Sequence, residues 1–74
     1  MYYVYVLQNE GNEFYIGYTA DLDKRVREHE RKEDSTYELI YYEAYVYEYQ
    51  ARNREKRLKY YGSAWRGLKR RILA

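Results

Sequence analysis

The sequence predicts an α+β domain of order ββαβαα, in which a three-stranded antiparallel sheet is flanked by three helices. Two aromatic and β-branched runs near the start are separated by a polar turn containing Gly11. After Thr19 the apolar spacing lengthens from two residues to the helical period, then reverts to a strand-like run at 36–47. From residue 48 onward charged side chains dominate, in a pattern that fits two amphipathic helices.

Residues 2–7 (Tyr-Tyr-Val-Tyr-Val-Leu) form the first expected strand, because branched and aromatic side chains suit a pleated surface. Gln8 to Asn12 is the hairpin turn, and residues 13–18 return as the second strand. Thr19 or Asp21 caps a helix expected to reach about Glu33, with Leu22, Val26 and His29 at i, i+4 and i+7 on one face. Residues 36–47 are too aromatic for a comfortable helix and make a third strand joining the same sheet. A second helix is expected from Glu48 to Tyr60, broken by Gly62. A short basic helix from Ser63 to Ile72 ends the chain. Without proline, repeats or a linker, residues 1–74 are expected to be a single domain.

A chain of 74 residues buries only about 60% of the surface its unfolded form exposes. It has no cysteine and a single histidine, His29, which argues against disulfides and a structural zinc site. Thirteen tyrosines carry the aromatic content, each pairing an apolar ring with a polar tip. No stretch approaches the roughly 20 apolar residues of a membrane span, and the N-terminus lacks the form of a secretion signal. A cytoplasmic location is therefore expected, with no membrane association. The net charge of +2 hides an asymmetry: residues 1–50 sum to −6, and residues 51–74 to +8. A basic C-terminal third fits a polyanion-binding face, and a solvated helix surface equally.

Three groups of residues have chemical potential. Alternation places Tyr5 on one strand face and Tyr15 with Gly17 on one face of its partner. A hairpin can set the two rings side by side, with Gly17 leaving space beside them. Packed tyrosines are the plain alternative. Arg25 and His29 are one helical turn apart at the margin of the apolar stripe. There an arginine can present its donor fork to a phosphate and a histidine can move a proton, or both can be surface and packing groups. Glu55 lies between Ala51 and Leu58 on the buried stripe of the second helix, the only acid among nine basic residues. A carboxylate so placed needs a partner, either Arg25 or a neighbouring Arg or Lys, or a metal ion.

Val4-Tyr5-Val6 followed by Tyr15-Ile16-Gly17 resembles the paired motifs of the GIY-YIG nuclease superfamily. Asp21-Leu22-x-x-Arg25-x-x-x-His29 is similar to that family's first helix, and Ala51-Arg52-x-Arg54-Glu55-Lys56-x-Leu58-Lys59 to its metal-binding helix. The basic ending with Trp65 resembles the small stand-alone branch, related to the N-terminal nuclease domain of the excision-repair subunit UvrC. The resemblance implies one divalent ion, Mg²⁺ or Mn²⁺, held by Glu55. It implies Tyr5 and Tyr15 at the scissile phosphate, Arg25 on the developing charge, and His29 assisting proton transfer. The sequence departs from the pattern at Tyr18, where relatives often have lysine, and in a short acidic stretch from Glu30 to Thr36.

The expected function is a metal-dependent endonuclease acting on nucleic acid, DNA ahead of RNA, with a link to DNA repair. Arg54, Arg66, Lys69, Arg70 and Arg71 are the expected phosphate contacts. The alternative is a catalytically weak or silent nucleic-acid-binding module of the same fold, with a protein partner supplying activity or specificity.

Overall fold

The computed structural model describes residues 1–30 and 36–73, leaving the side chain of Glu30 aside. The expected last turn of the first helix, to Glu33, and most of the acidic stretch lie outside the described residues. The elements are β1 (Tyr2–Gln8), β2 (Phe14–Thr19), α1 (Leu22–Glu30), β3 (Glu38–Tyr45), α2 (Glu48–Tyr60) and α3 (Gly62–Ile72). This is the ββαβαα order the sequence predicts.

β1 is the central strand, with β2 and β3 antiparallel on either side. Its position explains its composition. Val4, Tyr5, Val6 and Leu7 are all at most 1% exposed, so neither face of the strand can carry a charged group. Val4 and Val6 point to a core completed by Ala51 and Leu58 of α2 and Leu68 of α3. Tyr3, Tyr5 and Leu7 point the other way, where α1 lies over the sheet and shares a cleft with Tyr3, Leu39 and Tyr42. A register shift opposite Val6/Leu7 leaves Ile40 as the extra residue of β3.

The hairpin turn comes one residue later than expected, since β1 includes Gln8 and β2 begins at Phe14. Asn12, with φ 61°, takes the left-handed conformation, and no described glycine has positive φ. Asn9 organises the loop: its Oδ1 accepts from Glu13 N at 2.8 Å and its carbonyl from Asn12 N at 3.1 Å. Asparagine tolerates that backbone region better than other side chains, so Gly11 is not needed for the bend.

Of the two capping candidates, Asp21 performs the cap, its Oδ1 accepting from Lys24 N at 3.1 Å. Thr19 braces the entry, accepting from Asp21 N at 3.1 Å. At the other junction Gly62 is not the breaker. Tyr61, in extended conformation, ends α2 and opens α3, and Gly62 is the first residue of α3. A side chain at Gly62 would meet nothing within 4 Å.

Candidate active site

β1, β2 and α1 bring Tyr5, Tyr15 and His29 into one cluster. Tyr5 pairs across the ladder with Gly17, and Tyr15 with Leu7, so the two tyrosines are diagonal neighbours on one sheet face. Their rings stack with centroids 6.2 Å apart and planes 28° apart. His29 lies 5.1 Å from the Tyr15 ring and 6.4 Å from the Tyr5 ring. Tyr37, just before β3, completes the cluster at 6.4 Å from both Tyr15 and His29.

Gly17 is what lets Tyr5 lie there. A Cβ built on Gly17 would stand 2.4 Å from the Tyr5 hydroxyl oxygen, 2.6 Å from Cζ and 3.1 Å from Cε1 of Tyr15. The space expected beside Gly17 is therefore filled by the Tyr5 ring, which rests directly on the β2 main chain.

Burial divides the two hydroxyls. Tyr5 is 1% exposed and Tyr15 is 40% exposed. Burial, with Tyr15 next and Glu55 adding to it, pushes the Tyr5 hydroxyl up to about 12, while the Arg25 guanidinium pulls it back. Tyr5 thus holds its proton near neutral pH and can act as a donor. Of the two charges acting on the Tyr5 hydroxyl, one comes from α1 and one from α2.

Arg25 is half exposed and lies 3.7 Å from Glu28, a loose pair one turn along its own helix. Glu55 is 22% exposed at the side chain, and Oε2 is 3.5 Å from Lys59 Nζ. Lys59 Nζ also stands 6.0 Å from the centroid of the Tyr15 ring. Of the protein cations open to Glu55 as partners, the structure pairs it with Lys59 and not with Arg25.

The remaining basic candidates divide. Arg66, Lys69 and Arg70 line a shallow exposed groove on α3 with Leu73. Lys69 Nζ lies 5.3 Å over the ring of Phe14, which faces away from Tyr15. Arg71 is exposed, and its charge reaches Tyr41. Arg54 is placed differently from the phosphate contact expected of it. Its Nε donates to Glu43 Oε1 at 3.0 Å and its Nη2 to Oε2 at 3.1 Å, a bidentate fork only 28% exposed. The hydroxyls of Tyr41 and Tyr45 donate to the same carboxylate. Desolvation would raise the Glu43 carboxyl, but these four donors outweigh it and hold it below the usual range. Arg54 is a clamp between α2 and β3.

Sequence reasoning overlooked that clamp, Tyr37 and the position of Lys59. The clamp had a signal: Tyr41, Glu43 and Tyr45 alternate, so both hydroxyls and the carboxylate share a sheet face. Lys59 stands four residues after Glu55, the spacing of a helical ion pair. Tyr37 precedes its strand, and nothing local in the sequence sets it against His29.

Among the described residues, Tyr15 and Arg25 open the site to solvent. Two clefts flank it, one along Tyr3, Val26 and Tyr42, the other along Gln8, Asn12 and Tyr37. An open face suits a polymer better than a small molecule, which is usually enclosed.

The model of the GIY-YIG catalytic domain matches residues 1–59, from β1 to the last turn of α2. The chain belongs to the GIY-YIG family. A UPF0213 protein of Haloquadratum walsbyi is 33% identical over 67 residues, covering 81% of this chain and 75% of that protein. No solved structure matches the chain. The GIY-YIG motif words fall on β1 and β2, and the matched segment ends at Lys59, so α3 lies beyond it. Family membership makes this a nuclease-type hydrolase fold whose members act on nucleic acid. Among the described residues, no helix is long and apolar enough to cross a membrane.

Proposed function

We propose that this GIY-YIG domain is a metal-dependent endonuclease that hydrolyses phosphodiester bonds in DNA. The observation that supports it most is the convergence on Tyr5: a stacked tyrosine pair, His29 from α1, and the charges of Arg25 and Glu55 acting on one buried hydroxyl.

The donor set fits one hard divalent cation. Among the described residues there is no group of three or more His, Cys, Asp or Glu that could build a protein cage. A single carboxylate beside hydroxyls suits Mg²⁺ or Mn²⁺, which keep several waters and accept phosphate oxygens as ligands. Glu55 would hold the ion, which when bound neutralises phosphate charge and acidifies a coordinated water. Tyr5, kept protonated by burial, donates a hydrogen bond toward the scissile group. Tyr15, with its edge in solvent, orients the attacking water, and His29 beside it takes up or relays the proton. Arg25 offers its guanidinium to the charge that grows on the phosphate oxygens. The groove of Arg66, Lys69 and Arg70, with Arg71, holds the backbone without reading bases.

One observation favours a second reading. Lys59 already neutralises Glu55, as it would in a binding module that lost its metal and works through a partner. Nicking of supercoiled plasmid in Mg²⁺, Mn²⁺ and EDTA, beside Glu55→Ala, separates the two. Metal-dependent nicking that disappears in the variant is expected. Binding without cleavage by folded wild type, indifferent to metal and to Glu55→Ala, would select the silent module.

A further inference from the structure

The outward face of α2 carries a feature that the catalytic reading does not use. Ala51 and Leu58 define the buried side of the helix. With 3.6 residues per turn, Tyr49, Asn53, Lys56 and Tyr60 fall on the opposite side, and all four are exposed. Tyr49 is 63% exposed and Tyr60 74%. Tyr47, at the mouth of the helix and 59% exposed, stacks on Tyr49 with ring centroids 5.9 Å apart and planes only 17° apart. Single exposed aromatics are ordinary, but three on one short helix, two already parallel, make a patch.

The charges beside these rings are mixed at one end and positive further along: Glu48, between Tyr47 and Tyr49, pairs with Arg52. Among the described residues, Lys56 and Arg57 form no ion pair. A surface with flat rings at both ends and the cations Lys56 and Arg57 between them complements a polymer of aromatic bases and phosphates. It suits an unpaired strand and not a duplex, because only unstacked bases can lie on a ring. The distance along the helix from Tyr49 to Tyr60 is roughly 16 Å at 1.5 Å per residue, about five nucleotides at the 3.4 Å spacing of a stacked strand. A protein partner would more naturally meet leucine or methionine, and this face has neither.

We infer that the outward face of α2, through Tyr47, Tyr49, Lys56 and Tyr60, binds a single-stranded nucleic-acid segment. The inference rests on the nuclease reading, since α2 also carries Glu55. The substrate class this selects is a duplex with an unpaired branch or flap, or a wholly single strand.

The test is fluorescence anisotropy in EDTA, with a labelled oligothymidine strand and a hairpin duplex of equal length as probes. Wild type is compared with Tyr49→Ala/Tyr60→Ala and Tyr49→Phe/Tyr60→Phe. The alanine pair should weaken strand binding by about 10- to 100-fold, leave duplex binding unchanged, and be rescued by the phenylalanine pair, since stacking needs the ring alone. Equal losses on strand and duplex, no loss on either, or a phenylalanine pair as weak as the alanine pair would each overturn the inference. So would a wild-type dimer in sedimentation that the alanine pair dissolves, since a second copy would then cover the face. Because binding is read without metal, the two readings fail separately. Tyrosine-dependent strand binding with no cleavage in metal keeps this surface and removes the nuclease. Cleavage with strand binding indifferent to the tyrosines does the reverse.

Discussion

The two faces of the sheet are built from alternate residues of the same strand, yet they answer to different demands. On the side of α2 and α3, Val4 and Val6 meet Ala51, Leu58 and Leu68, and the polar groups there are saturated by the Glu43–Arg54 fork and two tyrosine hydroxyls. On the side of α1, the rings of Tyr5, Tyr15 and His29 gather with centroids 5.1–6.4 Å apart. Among the described residues, the first face holds the buried core, and its Glu43 carboxylate is bonded by Arg54, Tyr41 and Tyr45. On the second, Tyr15 is 40% exposed at an open surface. In so small a domain, one face can be left open for chemistry because the other is closed over the core.

If that division holds, damage to the closed face should cost stability first. Leu58→Ala is expected to lose about 2–5 kcal/mol, a large part of the stability of a domain this size, read by urea denaturation. Arg54→Met should lose about 2 kcal/mol, because it strips charged hydrogen bonds from Glu43. A normal melt for Arg54→Met, with weakened DNA binding, would return Arg54 to the phosphate contacts and blur the comparison.

The same clamp predicts a pH effect of definite sign. Glu43 is held below its ordinary value in the folded state, so its contribution is fully present above the unfolded carboxyl value of about 4.3. It is lost as pH falls through the lower folded value. Glu43→Gln should therefore be less stable than wild type at neutral pH, and the gap should close in acid.

Substitutions on the open face should separate activity from stability. Gly17→Ala forces an atom into the Tyr5 ring and is expected to cost about 1–3 kcal/mol. Cleavage should fall further than that loss of folded protein explains. Tyr5→Phe keeps the ring, so a stability change under about 1 kcal/mol is expected at neutral pH, with cleavage down at least about 100-fold. At high pH the sign is again fixed. The folded Tyr5 value, about 12, exceeds the unfolded 10, so its contribution is intact below pH 10 and is lost as pH rises toward 12. Tyr5→Phe should flatten that alkaline loss. Equal alkaline melting of both proteins would show that Tyr5 is not buried as described.

Much of the closed face was legible in the sequence, because period and residue type report burial directly. Val4 and Val6 against Tyr5 and Leu7, and Ala51 with Leu58, follow from strand and helix spacing alone. The hairpin also followed, although the bend fell to Asn12, since hydrogen bonds from Asn9 and not glycine freedom set the loop. Gly62 misled for a related reason: Tyr61 ends the helix simply by being extended. The open face was legible where local spacing and the family motif agreed, as for Tyr5, Tyr15 and Gly17. It was not legible where groups distant in sequence meet. Tyr37 beside His29, and Arg54 turned to Glu43, depend on how β3 docks against β1, which no short window of sequence contains.

The seat of Tyr5 on Gly17 has a consequence for how this protein can change. Most side chains in a core rest on other side chains, so their positions drift gradually as neighbours are exchanged. Tyr5 rests partly on main chain, beside the rings of Tyr15 and His29. That share of its support cannot be eased by exchanging a neighbouring side chain, and a single added carbon at residue 17 is the abrupt way to move its hydroxyl.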